Sequence, residues 1–208
     1  KMKLNRIDSA ALGIDTKIDE ALAFIASSSP GTIAIEPLRK AALDGDRDAK
    51  VRSDAFNALG RITGNEAFNT QLAIISEWQK HSADQESFAP TVQEFIYEPS
   101  HLGRPKVLRD AARKQKGAAK VVTYRIALQL EQSPLANDYL RGIMGDIIRR
   151  GAKNAELLTA IGDSGSAGHR ELVATAAKSK DVALSKVAKA TLAKLNAAPA
   201  TGDDDKRR

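Results

Sequence analysis

The chain has no cysteine and few aromatic residues, and both absences exclude classes of protein. Without cysteine it forms neither disulfides nor thiolate metal sites. Aromatic residues make up 4% of the sequence, while apolar residues make up 42%. This balance, together with abundant alanine, suits closely packed helices better than a β-sandwich, whose strands are enriched in aromatic and β-branched residues. The composition therefore predicts an all-α fold.

Long apolar runs are also missing. The longest uninterrupted run, Ala21 to Ala26, is far too short for a membrane-spanning helix. The basic start from Lys1 to Arg6 is not followed by the apolar region of a signal peptide. We therefore expect no membrane span and a cytoplasmic location. The alternative is an exported protein that has been processed, because Lys1 precedes Met2.

Helix signals recur along the sequence. Thr16 and Asp19 resemble a capping box and predict a helix at about 17–28. Ser133 lies directly before Pro134, which places an N-cap residue ahead of a proline at the first helical position. We therefore expect a helix at about 134–150 that Gly151 ends in a left-handed conformation, and no strand, because no comparable segment alternates polar and apolar residues.

A pattern of acidic and apolar residues occurs twice, 133 residues apart. A helix that ends in a short polar loop precedes each copy. The triplet Ala58-Leu59-Gly60 has a counterpart in Ala160-Ile161-Gly162, 102 residues later, or three steps of about 34 residues. A two-helix repeat unit of about that length explains both echoes. The matching positions are Asp48, Val51, Ala55, Leu59 and Ile62 in the first copy, and Asp181, Leu184, Ala188, Leu192 and Leu195 in the second.

Residues 46–62, DRDAKVRSDAFNALGRI, resemble the second helix of a HEAT repeat, in which an acidic residue precedes Val-Arg and then small and apolar residues at helical spacing. The resemblance covers 31–63 well and extends to 152–195. It implies an all-α protein of the α-α superhelix (solenoid) type, with about five stacked helical hairpins and an N-terminal capping helix. It also implies that Asp48 and Arg52 order the junction between repeats.

The predicted architecture is one HEAT-like solenoid domain over 1–195 and a disordered polar tail over 196–208. A single hairpin leaves its apolar stripe exposed, whereas stacked neighbours bury it. The predicted hairpins are 32–63, 66–98, 105–132, 134–161 and 166–195.

We predict no catalytic residue, no metal and no cofactor. The GDSGS run from Gly162 to Ser166 resembles a serine-nucleophile motif, but it joins two predicted helices instead of a strand and a helix. The run from Asp44 to Asp48 opens like a calcium loop. The positions of its required glycine and bidentate glutamate are Ala49 and Ala55, however, so calcium binding is not expected.

Two further features are assigned to packing. Trp78 falls on the apolar face of its predicted helix, so we expect it in a core and not against a ligand. Gly142 and Gly145 lie inside the 134–150 helix, where we expect them to mark a close helix contact.

The positive charge is concentrated in one segment. The chain carries a net charge of +6, but residues 104–125 hold eight basic residues against Asp110 alone, which gives 8 − 1 = +7. The preceding hairpin over 66–98 has one basic and six acidic residues, which gives 1 − 6 = −5. The charge is therefore segregated along the chain.

Within this basic segment, cations three and four residues apart form a stripe on a predicted helix opened by Pro105. Such a stripe suits phosphates or an acidic protein surface, although a solvated helix face explains it equally well. The stripe consists of Lys106, Arg109, Arg113 and Lys116. The candidate macromolecule-binding residues are Lys106, Arg109, Arg113, Lys116, Lys120 and Arg125.

These features predict a non-enzymatic scaffold that binds a protein partner with an acidic surface, as HEAT-like arrays commonly do. The alternative is a nucleic-acid-binding protein, either similar to the helical-repeat alkylpurine DNA glycosylases or non-catalytic, although aromatic residues for stacking, such as Tyr124, are few. A HEAT-like enzyme such as a chromophore lyase, or a fragment of a lipid-carrier shell, would require a large apolar cavity. The sequence identifies no small-molecule substrate.

Overall fold

The computed structural model of the protein describes residues 31–62 and 64–197. These two ranges contain ten α-helices and no strand, which confirms the all-α prediction. The predicted capping helix at 17–28 and the tail from residue 198 lie outside the described residues. The helices are α1 (Ile35–Leu43), α2 (Ala49–Gly60), α3 (Asn65–Trp78), α4 (Ser82–Ile96), α5 (Pro105–Lys114), α6 (Gly117–Gln132), α7 (Asp138–Arg150), α8 (Ala155–Ser164), α9 (Arg170–Ala177) and α10 (Val182–Ala197).

Each predicted hairpin range coincides with one consecutive pair of these helices to within four residues at either end. The described residues fall into two compact units, 31–95 and 96–197. Helices α1 to α4 belong to the first unit and α5 to α10 to the second, apart from the last residue of α4. The prediction of one domain over 1–195 stays a prediction.

The first unit has an aromatic core. Trp78 is fully buried and stacks on Phe88 with the ring centroids 3.9 Å apart, which joins α3 to α4. Phe56 on α2 contacts both Trp78 and Phe95, at 5.1 and 5.4 Å between centroids. Rings at these separations add to the stabilisation that their burial provides. The prediction that Trp78 packs in a core is confirmed.

A buried arginine joins the first helix pair to the second. The guanidinium of Arg52 on α2 donates two hydrogen bonds to the carboxylate of Asp84 on α4, at 2.9 and 3.1 Å. Its Nε also donates to the carbonyl oxygen of Ala42 at 3.2 Å. Asp48 instead caps its own helix by accepting from the backbone N–H of Lys50 at 2.7 Å. Arg52 therefore links the two helix pairs, whereas Asp48 stabilises the start of α2; that these pairs are HEAT repeats stays a prediction.

In the second unit, α8 packs between α6 and α10, and α5 packs against both α6 and α7. The apolar positions of α8 explain why it is central, because four of its ten residues are almost completely shielded from solvent. They are Leu157, Leu158, Ala160 and Ile161.

Two helix ends in this unit differ from the prediction. Helix α7 begins at Asp138, where Asn137 accepts from the backbone N–H of Leu140 at 2.9 Å, so Asn137 is the N-cap. Ser133 instead closes a turn by accepting from the N–H of Leu135. Helix α10 continues through Ala197, past the predicted start of the disordered tail, because burial of Leu195 holds its last turn against the unit.

The glycines of α7 also differ from the prediction. A Cβ added at Gly142 would meet nothing within 4 Å, so this glycine does not mark a close helix contact. Gly145 would meet only a side-chain oxygen of Glu131, at 3.5 Å, which is ordinary van der Waals distance. Gly151 ends α7 with φ −77°, in the right-handed region and not the expected left-handed one.

Candidate functional site

Helix α5 presents a basic face opposite a buried one. Its buried face consists of Leu108 and Ala111, which are 0% and 2% exposed. The helix ends at Lys114, because Gln115 and Lys116 are extended and Gly117 then adopts φ +54°. Lys116 therefore precedes α6 as its N-cap residue. The prediction that Lys116 continues the α5 stripe was wrong, since this turn interrupts the helical spacing.

A basic pocket of about 260 Å³ lies where α5, α6, α7 and the turn after α7 meet. Four cations and one carboxylate line it, which gives a net charge of 4 − 1 = +3. The remaining lining groups are an aromatic hydroxyl side chain, an amide and two apolar residues. The lining residues are Arg109, Ala112, Arg113, Lys120, Tyr124, Asp146, Ile147, Arg150 and Asn154.

Most of the cations in this pocket are unpaired. Within residues 31–62 and 64–197, Arg109, Arg113 and Lys120 have no hydrogen-bond or ion-pair partner, and the Nε of Arg109 is a buried atom without an acceptor. A buried donor that lacks its acceptor costs free energy. An anion in the pocket would remove that cost.

The fourth cation is held by the carboxylate. Arg150 Nε donates to Asp146 Oδ2 at 2.8 Å, one helical turn away on α7. This hydrogen bond, together with the charges of Arg150, Arg149 and Arg109, holds the pKa of Asp146 below its usual value. Asp146 is therefore ionised at neutral pH and forms an ion pair with Arg150 at the pocket wall.

Tyr124 contributes a fixed hydrogen-bond donor. It is 2% exposed, and its hydroxyl oxygen accepts from Asn154 Nδ2 at 2.7 Å. Because Asn154 also lines the pocket, the hydroxyl end of Tyr124 is the part that faces it. Burial raises the pKa of Tyr124, so the phenol keeps its proton at neutral pH. With the oxygen already accepting from Asn154, that proton is available to a bound anion.

Gly151 makes this arrangement sterically possible. A Cβ at position 151 would lie 2.9 Å from a ring carbon of Tyr124 and 2.9 Å from Leu157 Cδ2. Carbon atoms cannot approach this closely without displacement, so only glycine allows the backbone after α7 to lie on the tyrosine ring. This close approach places Asn154 beside the Tyr124 hydroxyl.

Three of the six predicted site residues, Arg109, Arg113 and Lys120, line the pocket together. Lys106, Lys116 and Arg125 do not line it. Sequence reasoning missed Asp146, Arg150 and Asn154, and treated Tyr124 only as a stacking residue. The available signal was the Asp146 and Arg150 pair, because an i, i+4 carboxylate and arginine interact on a helix surface.

The serine motif spans the last turn of α8 and the start of the interhelical turn that follows, and it follows no strand. Ser164 ends α8, Gly165 follows with φ +64°, and the hydroxyls of Ser164 and Ser166 bond to each other at 2.7 Å. In the run that resembles a calcium loop, Asp44 accepts from Arg47 Nε at 2.9 Å and Asp48 caps α2. The described part of the chain contains no cluster of three potential metal ligands.

The fold and the pocket together define an all-helical protein with a cationic pocket, in which most of the cations are unpaired. No family model, curated protein or solved structure matches the chain. Among the described helices, none is both long enough and apolar enough to span a membrane.

Proposed function

We propose that this protein is a non-enzymatic HEAT-like scaffold, in which about five stacked hairpins present a cationic surface to an acidic protein partner. The regular succession of helix pairs supports the solenoid arrangement. The packing of α8 between α6 and α10 supports it as well, because repeats in a solenoid contact only their neighbours.

The convergence of unpaired cations on one pocket carries the proposal. Residues 96–197 hold 18 basic and 9 acidic residues, which gives 18 − 9 = +9. Four of these cations line the pocket, and three of them have no hydrogen-bond or ion-pair partner among the described residues. Such a surface attracts acidic partners and accelerates their association.

Tyr124 favours a protein partner over nucleic acid. Its ring is 2% exposed and lies against Gly151, so it offers no face on which a base stacks. Two apolar side chains of the same unit, Leu135 and Tyr139, are 73% and 64% exposed. Exposed tyrosine and arginine together are typical of protein interfaces.

Binding of model ligands to the full chain tests this function. A fluorescent poly-glutamate peptide and a short DNA duplex are titrated with the protein, and anisotropy is recorded at low and moderate salt. We expect the peptide to bind and Arg113→Glu to weaken its binding by about tenfold, because the substitution reverses one unpaired charge. The matched control is Lys189→Glu, which makes the same change at an exposed position of α10 and should alter binding less than twofold.

Two results would oppose the proposal. Equal losses in Arg113→Glu and Lys189→Glu would mean that net charge, and not the pocket, binds the peptide. Duplex binding that is tighter than peptide binding, with a steep loss at moderate salt, would favour the nucleic-acid alternative.

A further inference from the structure

We propose that the basic pocket binds a phosphate monoester, carried by a phosphorylated serine or threonine of the protein partner. This inference rests on the proposed function, because it specifies which group of an acidic partner enters the pocket. It extends that function from a general charge preference to recognition of one modified side chain.

The charge of the pocket fits a dianion better than a carboxylate. The pocket carries +3 from Arg109, Arg113, Lys120 and Arg150 against Asp146. A phosphate monoester carries a charge of about −1.5 to −2 at neutral pH, so it neutralises most of this excess. A glutamate or aspartate side chain would leave a net charge of about +2 among closely spaced cations.

The hydrogen-bond donors of the pocket also favour a phosphate over a carboxylate. A phosphate group offers three terminal oxygens, and arginine binds two of them through paired N–H groups. The unpaired guanidinium of Arg109 supplies such a pair of donors, and its buried Nε lacks an acceptor. Lys120 adds a point charge and Tyr124 adds its hydroxyl proton. Arg113 and Arg150 also line the pocket, so a phosphate with three terminal oxygens meets more of the donors than a carboxylate with two.

The volume of the pocket suits a short side chain. At about 260 Å³, the pocket is smaller than the range of roughly 300–1,000 Å³ typical of small-molecule sites. It has room for a phosphate and the short side chain that carries it. Because no ring face is open in the pocket, a nucleotide would bury its base there without stacking.

An exposed aromatic residue lies where the rest of a peptide would pass. Tyr139, Asp146 and Arg150 are spaced i, i+7 and i+11 on α7, so they lie on one face of this helix. Tyr139 is therefore about 10 Å from the pocket along the helix axis. An apolar residue next to the phosphorylated one in the partner would pack on this ring.

Calorimetric titration of the full chain tests the inference. The ligands are a peptide with one phosphoserine flanked by leucines, the same peptide unphosphorylated, and the same peptide with glutamate at that position. We expect the phosphopeptide to bind at least about tenfold more tightly than either analogue, because only the phosphate satisfies the charge and the donors. Inorganic phosphate should compete with it.

Matched substitutions locate the binding. Lys120→Gln removes one pocket charge and Lys189→Gln removes one charge from the exposed surface of α10. We expect the first to weaken phosphopeptide binding by about tenfold and the second by less than twofold. Arg109→Lys retains the charge but loses the paired N–H groups, and should also weaken binding about tenfold. Helicity and thermal unfolding of each variant establish that it is folded.

Several results would overturn the inference, and each is distinct from failure of the proposed function. Equal affinity for the phosphorylated and glutamate peptides removes the phosphate preference, while the acidic-partner function stands. Unchanged phosphopeptide affinity in Lys120→Gln and Arg109→Lys places the site elsewhere. A 5′-phosphorylated oligonucleotide that binds more tightly than the phosphopeptide assigns the phosphate to nucleic acid. If no acidic peptide binds at all, the proposed function fails as well.

Discussion

Arg52 and Arg109 illustrate how differently the two units use the same side chain. Arg52 in the first unit bonds the Asp84 carboxylate and the Ala42 carbonyl, and its guanidinium carbon lies 4.6 Å from the centre of the Phe88 ring. Arg109 in the second unit has a buried Nε with no acceptor. Removing the partner of a buried arginine destabilises the fold, whereas a buried Nε without an acceptor is a donor that an external anion would satisfy.

The same contrast extends to composition. Residues 31–95 hold 7 basic and 10 acidic residues, which gives −3, while residues 96–197 reach +9. Four phenylalanines and the tryptophan of the described residues all lie in the first unit. The first unit is therefore held by rings and paired charges, and the second combines an aliphatic core with unpaired charges at its surface.

The largest expected effect is loss of the paired arginine in the first unit. Asp84→Ala should lower the free energy of unfolding by about 3 kcal/mol, because it leaves the Arg52 guanidinium buried without its counter-charge. Denaturant unfolding followed by Trp78 fluorescence measures this change. Lys80→Ala is the control, since its pair with Glu77 is exposed and worth less than about 1 kcal/mol. Equal losses in both variants would contradict the structural role of Arg52.

The next largest effect is on stability and comes from Gly151, in the turn after α7. Gly151→Ala should destabilise the protein by about 1–3 kcal/mol, because the new methyl group overlaps the Tyr124 ring and Leu157. Gly142→Ala should stabilise it by about 0.5–1 kcal/mol, since this helical glycine has open space around it. Thermal unfolding compares the two. A stable Gly151→Ala variant with unchanged phosphopeptide affinity would mean that the turn does not position the site.

A smaller effect than these substitutions is expected from pH, which should change phosphopeptide affinity only on the acidic side of neutrality. Affinity should rise as pH passes about 6, where the phosphate loses its second proton. It should then stay level to about pH 9, because burial raises the pKa of Tyr124 above its ordinary value and the phenol keeps its proton. Calorimetry across this range tests the profile. A fall in affinity between about pH 8 and 9 would show that Tyr124 ionises early and is not the donor.

The smallest expected effect is the change in phosphopeptide affinity on replacing Asp146, the acidic residue of the pocket. Asp146→Asn changes the pocket charge from +3 to +4 and should strengthen phosphopeptide binding severalfold. The pKa of Asp146 is lowered, so its carboxylate is ionised throughout the neutral pH range. The wild-type protein should therefore bind the phosphopeptide more weakly than Asp146→Asn over that whole range. Weaker binding by Asp146→Asn would mean instead that the carboxylate is needed to position Arg150.

Helical periodicity predicted the helix pairs well, but not where each helix begins. Ser133 and Asn137 are both good N-cap residues four positions apart, and only the packed structure selects Asn137. Spacing also identified Arg109 and Arg113. It placed Lys116 on the same helix, because the spacing of the cations took no account of Gly117, which adopts a positive φ after the turn.

The rest of the site depends on tertiary packing. Asn154 meets Tyr124 across 30 residues of sequence, at a distance that the close approach of Gly151 makes possible. Arg150 reaches the pocket because α5 packs on α7. Neither relation follows from local spacing, so the linear charge pattern located the basic segment without revealing the pocket.

The hydrogen bond from Trp78 Nε1 to the Ala42 carbonyl, at 3.1 Å, ties α3 to the end of α1. The chain has one tryptophan, so its indole proton gives a single resonance in an NMR spectrum. That proton exchanges with solvent only when the first unit opens. Its exchange rate therefore measures the opening of residues 31–95 in the intact protein, with or without a ligand on the second unit.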